Sequence, residues 1–276
     1  MEFSNEKVAI IGAGNMGGMV ASLLLQTALF QPNQIVFGWI RKERQQKLQQ
    51  QFPGCIFAET NAQATQQSTI TFITVKPGLF KTISQELVCP NKNTLYISLV
   101  AVLKLRTIQS AIRTSNIVRC ATTIGIQNGN GTNVWISSRN IDPKQKELAK
   151  NILGLLGRNW TAPDERALDK AILISGCMFG LIAYHIQCYT RPVSCNAFPE
   201  KMAREIIAHT FQNAAALCLN SELPLNQIIE QVATKGGMTA AMLETLHKNN
   251  RGPALIEDVV RTGFTRIKQV KELLKK

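Results

Sequence analysis

The residues with the clearest chemical potential lie near the N-terminus: Gly12, Ala13, Gly14, Asn15, Met16 and Gly17, whose glycines keep a G-x-G-x-x-G spacing. The four apolar residues before them, Val8, Ala9, Ile10 and Ile11, read as a buried strand, and the apolar segment 18–29 reads as a helix. A chain that turns this tightly from strand to helix needs glycine. The turn amides and the positive end of the helix dipole then attract an anion. With strand and helix both in place, the spacing predicts the pyrophosphate of a dinucleotide as that anion. Packing alone is the other use of such a turn.

A second chemical signal follows the strand expected at 34–40 (QIVFGWI). Dinucleotide folds with an acidic residue here use it to bind the ribose 2′-hydroxyl. This chain instead has Ile40 followed by Arg41, Lys42 and Arg44. A guanidinium at Arg41 can grip a 2′-phosphate with paired hydrogen bonds, which favours NADP(H) over NAD(H). The competing use of these residues is as a solvated first turn of a helix at 42–51. No metal or nucleophile constellation accompanies them. The three histidines, His185, His209 and His247, are far apart and lack the H-E-x-x-H spacing. The seven cysteines are an odd, scattered set without C-x-x-C, which argues for reduced thiols rather than a disulfide framework or a zinc ribbon.

The elements that must position these residues alternate along the first half. Strands are expected at 68–75 (STITFITV), 93–100 (NTLYISLV), 117–119, 132–138 (TNVWISS) and 159–161. A helix should start at Asp142-Pro143, an acidic cap with proline at the first position, and run to Leu156 with Gly157 as its C-terminal cap. This alternation predicts an α/β, Rossmann-like domain over 1–163, built on a doubly wound and largely parallel sheet. From Asp164 onward only helices are expected, at 165–190, 199–220, 224–232, 239–248 and 253–274, giving an all-α domain over 164–276. Within the first of these, ILISGCMFGLIAY has no polar face and must be buried all round. An intertwined dimer is the simplest way for so small a helical domain to do that.

Composition sets outer bounds. A chain of 276 residues, 45% hydrophobic and 18% charged, is globular rather than disordered. The net charge of +13 favours anionic partners, yet the basic residues form no run, which argues against nucleic acid as a partner. The longest uncharged apolar segment, 171–184, falls short of the ~20 residues that span a bilayer. The polar first seven residues show no signal peptide, so a cytoplasmic protein without a membrane partner is expected.

Three motifs taken together resemble a known family. They are the Ile-Gly-x-Gly-Asn-Met-Gly opening at 11–17, Val75-Lys76-Pro77 after a strand, and Val-Ala-Thr-Lys-Gly-Gly-Met-Thr at 232–239 ahead of a helix. From about residue 7 to 270 the chain resembles pyrroline-5-carboxylate reductase. The resemblance implies NADPH-dependent reduction of the cyclic imine 1-pyrroline-5-carboxylate to proline, by an interlocked helical homodimer that can assemble further. It implies that Gly12 to Gly17 hold the pyrophosphate, Arg41 meets the adenosine end, and Val75, Lys76 and Pro77 flank the nicotinamide ribose. Thr234, Lys235, Gly236, Gly237, Met238 and Thr239 would bind the substrate. The chemistry is coherent. Gly236 and Gly237 free the backbone before a helix whose first amides can receive a carboxylate. Thr239 would be the catalytic contact, its hydroxyl hydrogen-bonded to the ring nitrogen. Since the hydride comes from the cofactor, no strong acid or metal is required. An ordinary helix-to-helix turn is the other use of the two glycines.

The departures from the resemblance gather on the substrate side. The family's Met-Pro-Asn-Thr-Pro-like run after an arginine appears as Cys120-Ala121-Thr122-Thr123-Ile124, with Thr123 at the asparagine position. Its Ala-Ala-Gly appears as Val100-Ala101-Val102, and its Ser-Gly-Ser-Gly-Pro as Ser175-Gly176-Cys177-Met178-Phe179. Lys235 replaces a proline. These changes leave a second reading open: a divergent, regulatory or late-competence-type paralogue that binds NADP(H) with little or no turnover, or a reductase of another small imine.

Overall fold

The alternation resolves, in a computed structural model describing residues 3–87, 93–194 and 198–274, into eight strands and six helices before the strands end. They are β1 (Val8–Ile11), α1 (Asn15–Gln26), β2 (Ile35–Phe37), α2 (Lys42–Gln51), β3 (Ile56–Phe57), α3 (Asn61–Gln66), β4 (Ile70–Ile73), α4 (Phe80–Glu86), β5 (Leu95–Ser98), α5 (Leu105–Ile112), β6 (Ile117–Ala121), β7 (Gly131–Ser137), α6 (Pro143–Leu155) and β8 (Gly157–Thr161). Cys89 and Cys195 lie outside the described residues. The sheet order is β3-β2-β1-β4-β5-β6-β7-β8. All neighbouring strands are parallel except β6 and β7. That reversal has a simple cause: the link from Ala121 to Gly131 is too short for the crossover a parallel pair requires.

Helices cover both faces of the sheet, so its central strands are apolar on both sides. In β1, Val8 and Ile10 pack into one layer with Leu24, Phe37, Phe72 and Trp135. Ala9 and Ile11 pack into the other with Ile73, Tyr96 and Ile108. The expected start of α6 is present: the Asp142 carboxylate accepts from the Lys144 and Gln145 amides at 2.8 and 3.3 Å, with Pro143 next. Gly157, expected as a helix cap, is instead the first residue of β8. Its φ is +134°, and a Cβ there would come within 2.2 Å of the Gly131 carbonyl oxygen, so strand pairing rather than helix termination demands the glycine.

The helical part comprises α7 (Glu165–Ala171), a π-helical turn (Ile172–Cys177), α8 (Met178–Ser194), α9 (Glu200–Asn220), α10 (Leu225–Val232), α11 (Met238–His247) and α12 (Arg251–Leu273). Strands give way to helices at 163/164, whereas the compact units part later. One unit is Met1–Cys177 with Arg266–Lys276, and the other is Met178–Thr265. The reason lies in α7, which is fastened to the sheet. Leu168 is buried with Ala121 and Ala162. Arg119 of β6, 2% exposed, donates to Asp169 at 2.7 Å and to Glu165 at 3.3 Å. Lys271 of α12 pairs with the second Asp169 oxygen, and Glu165 also accepts the Leu105 amide at 2.5 Å. Two cations and two carboxylates thus satisfy one another, and removing one partner would strand a charge in the interior.

One length expectation is corrected. The apolar segment 171–184 belongs to a helical run, Glu165–Ser194, of 30 residues, long and apolar enough by length and composition to cross a membrane. The helix continues past both ends of the apolar segment: the good helix formers of 165–170 precede it, and after it the helix runs through Pro192 to Ser194. Much of its surface is uncovered in the single chain: Ile174, Phe179, Ile182, Tyr184 and Tyr189 are all exposed.

Candidate functional site

The turn after β1 is assembled from both its own glycines and the end of β4. Gly12 has φ +98°, and a Cβ there would lie 2.7 Å from Val75 Cγ1. A Cβ on Gly17 would lie 2.4 Å from the Gly12 carbonyl oxygen and 2.9 Å from Ile10 Cγ2, so α1 can approach the strand only with glycine at this position. Gly14 differs from both, since a Cβ there would meet nothing within 4 Å. The open side of the turn is therefore at Gly14, the N-cap of α1.

Two side chains hold this turn that sequence reasoning did not assign to it. The Thr74 hydroxyl lies 2.6 Å from the Gly12 carbonyl oxygen and 3.1 Å from that of Ile11. Arg44 donates Nε and Nη2 to the Ala13 carbonyl oxygen at 3.0 and 2.8 Å. The signal for Arg44 was its place one helical turn after Arg41 in α2; the signal for Thr74 was its adjacency to Val75. With Ala13 turned toward Arg44 and the Gly14 amide donating to Gly12, the amides of Asn15, Met16 and Gly17 head α1 without acceptors among the described residues. Unpaired amides, a helix dipole and a guanidinium beside open space form an anion receptor.

The other cofactor-side positions fall at the same edge of the sheet. Arg41 is the exposed N-cap of α2 and makes no side-chain hydrogen bond among the described residues. Val75 is buried against Gly12, Lys76 is exposed, and Pro77 opens a short 3-10 turn, Pro77–Leu79. All follow the C-terminal ends of parallel strands, where doubly wound sheets bind ligands.

Of the positions that depart from the family resemblance, Thr123 is taken up by an internal bond, whereas Cys177, Met178 and Phe179 are exposed. Thr123, 6% exposed, accepts the Thr132 amide at 3.2 Å, while Thr122 bonds Asn133 at 2.6 Å. Ser175 lies in the π-helical turn and donates to the Ala171 carbonyl at 2.8 Å. Such wide turns are rare in helices and recur at functional sites. Burial pushes the Cys55 thiol up to about 11 and the Cys120 thiol higher still, so neither is a thiolate near neutral pH.

The Thr234–Thr239 stretch lies in the other unit and forms a tight turn of its own. The Gly237 amide donates to the Thr234 carbonyl at 2.9 Å, and Gly236, with φ +76°, holds the third position. That pattern matches a type II turn, which needs glycine third and favours proline second, where this chain has Lys235. A Cβ on Gly237 would strike Thr234 Oγ1 at 2.6 Å. Because the Gly237 amide closes the turn, the amides that remain are those of Met238, Thr239 and Ala240, the first residues of α11. Thr245, Thr262 and Thr265 bond back to the preceding turn of their helices, whereas the Thr239 hydroxyl has no partner among the described residues.

Comparison with known proteins adds the following. The family model for pyrroline-5-carboxylate reductase dimerisation matches residues 165–270, and that for NADP oxidoreductase, coenzyme F420-dependent, matches 7–102. A pyrroline-5-carboxylate reductase of Synechocystis is 24% identical, covering 96% of this chain and 98% of its own. One of Vibrio alginolyticus is 23% identical, covering 98% and 99%. Among solved structures, Plasmodium falciparum pyrroline carboxylate reductase with NADP bound shares the fold at a TM-score of 0.84 and 18% identity, covering 99% of each chain. The Streptococcus pyogenes enzyme does so at 0.83 and 18%, covering 97% and 98%. Residues 165–270 thus match the pyrroline-5-carboxylate reductase dimerisation domain, and from end to end the chain is similar to reductases of that name and shares their fold.

Proposed function

We propose that this chain reduces 1-pyrroline-5-carboxylate to proline with NADPH, as a cytoplasmic homodimer formed through the helical domain at 164–276. The observation that carries the reading is the start of α11. Three unpaired amides and an unpartnered Thr239 hydroxyl follow a glycine turn, within the domain that matches the reductase dimerisation family. A carboxylate and a neighbouring ring nitrogen are what such a set recognises.

The residues around Gly14 fit a dinucleotide. Open space at Gly14, the amides of Asn15, Met16 and Gly17, and the guanidinium of Arg44 suit a pyrophosphate. Arg41 suits the 2′-phosphate, and Val75, Lys76 and Pro77 suit the nicotinamide ribose. Bound NADPH supplies the hydride. The chain's own part is to bind and orient: the amides of Met238, Thr239 and Ala240 hold the substrate carboxylate, and Thr239 holds the ring nitrogen. Thr234, Lys235, Gly236 and Gly237 keep those amides in place. Orientation of this kind supplies most of what a bimolecular reduction lacks in water.

A second reading, nucleotide binding with little turnover, is favoured by Thr123. Its hydroxyl already accepts the Thr132 amide and its side chain is buried. Rescue of a proline auxotroph separates the two. Growth without proline supports the reductase; failure to grow, with soluble protein that binds NADPH, supports the second reading.

A further inference from the structure

The segment joining β2 to α2 holds a feature that the pyrophosphate turn does not explain. Trp39 follows the C-terminal end of β2 and is 58% exposed. A lone exposed aromatic is ordinary; here the backbone that carries it is also held by a buried side chain. The Trp39 amide donates to Asn61 Oδ1 at 3.0 Å, and Asn61 Nδ2 donates to Glu86 Oε2 at 2.7 Å. Asn61 is itself 5% exposed. On the strand side the Gly38 amide donates to the Ile10 carbonyl at 3.0 Å, which fixes the preceding peptide as well. The main chain is thus held from both sides while the ring stands in solvent.

Asn61 also decides what can occupy position 38. A Cβ on Gly38 would lie 2.4 Å from Asn61 Oδ1 and 2.9 Å from Ile11 Cδ1. The end of this strand is where dinucleotide folds place the carboxylate that binds a free ribose 2′-hydroxyl. Here that side chain is sterically shut out, and the residues that follow Trp39 and Ile40 are Arg41, Lys42 and Arg44.

We propose that Trp39 is the platform on which the adenine ring of the nucleotide stacks, and that Asn61 positions it. The clamp removes the backbone freedom that a loop would lose on binding, so the stacking contact keeps more of its strength. An aromatic platform takes any base, and the basic residues beside it select a nucleotide with a phosphate on the ribose. This inference rests on the proposed use of NADPH and is tested apart from turnover.

The test uses adenosine 2′,5′-bisphosphate, which lacks the nicotinamide, read by tryptophan fluorescence and by calorimetry in a Trp160→Phe background. Trp160 lies in β8, at the far end of the sheet order from β2, and Trp135 is buried. The parent should show quenching on binding. Trp39→Leu should lose the quench and weaken binding by about 5- to 100-fold, the range base–aromatic stacking covers. Trp39→Phe should keep most of the affinity, and Asn61→Ala should weaken binding with Trp39 still present. Circular dichroism and melting curves establish that each variant folds. Binding by folded Trp39→Leu equal to the parent's, or Trp39→Phe as weak as Trp39→Leu, overturns the platform. A parent that binds neither the bisphosphate nor NADPH overturns the cofactor reading itself.

Discussion

The two glycine turns of this chain use the same residue for different ends. At Gly12 and Gly17 glycine is required because the space for a Cβ is already filled, by Val75 and by the turn's own carbonyl. At Gly236 no atom lies within 4 Å of where a Cβ would be, so only the positive φ calls for glycine. The first turn is braced by Thr74 and Arg44, residues of its own unit. The second is braced by one backbone hydrogen bond, and Met238 beside it is 87% exposed. A braced turn is held in shape by its own unit. The open one is left exposed in the single chain.

That contrast orders the expected effects of substitution. Gly12→Ala brings a steric clash and a left-handed strain together and should cost about 2–5 kcal/mol, measured by denaturant unfolding, with NADPH binding lost. Gly236→Ala meets only the strain, so about 1–2 kcal/mol is expected, with nucleotide affinity unchanged. Equal costs at the two positions would erase the distinction. Lys235→Pro places proline where a type II turn favours it and should stabilise by about 0.4–1 kcal/mol, seen as a raised melting temperature. Thr239→Ala should move stability by less than about 0.5 kcal/mol, because the hydroxyl bonds nothing that folding needs, while kcat/KM falls. A large loss of stability there would show that Thr239 is structural.

The same contrast explains what the sequence could disclose. The β1 strand, its turn, α2 and the capped start of α6 depend on neighbours in sequence, and their patterns were readable. Arg44 and Thr74 reach the first turn from 31 and 62 positions away along the chain, so beyond their closeness to Arg41 and Val75 no local spacing marks them. Asn61 was hidden for the same reason, as was the ion-pair cluster of Arg119, Glu165, Asp169 and Lys271. The short elements β3, α3, α4 and α5 carry too few residues for a period to show. A glycine after a helix usually belongs to its end, but at Gly157 close pairing with Gly131 is what requires glycine.

Under the proposed function, the braced turn and the open one serve a single reaction, hydride transfer to a cyclic imine. The most direct measurement follows NADPH consumption and proline formation by purified protein given 1-pyrroline-5-carboxylate, alongside Thr239→Ala. Proline is expected to form one for one with NADPH consumed, and the variant to melt like the parent yet lose most of its kcat/KM. A folded parent that binds NADPH and forms no proline would contradict it.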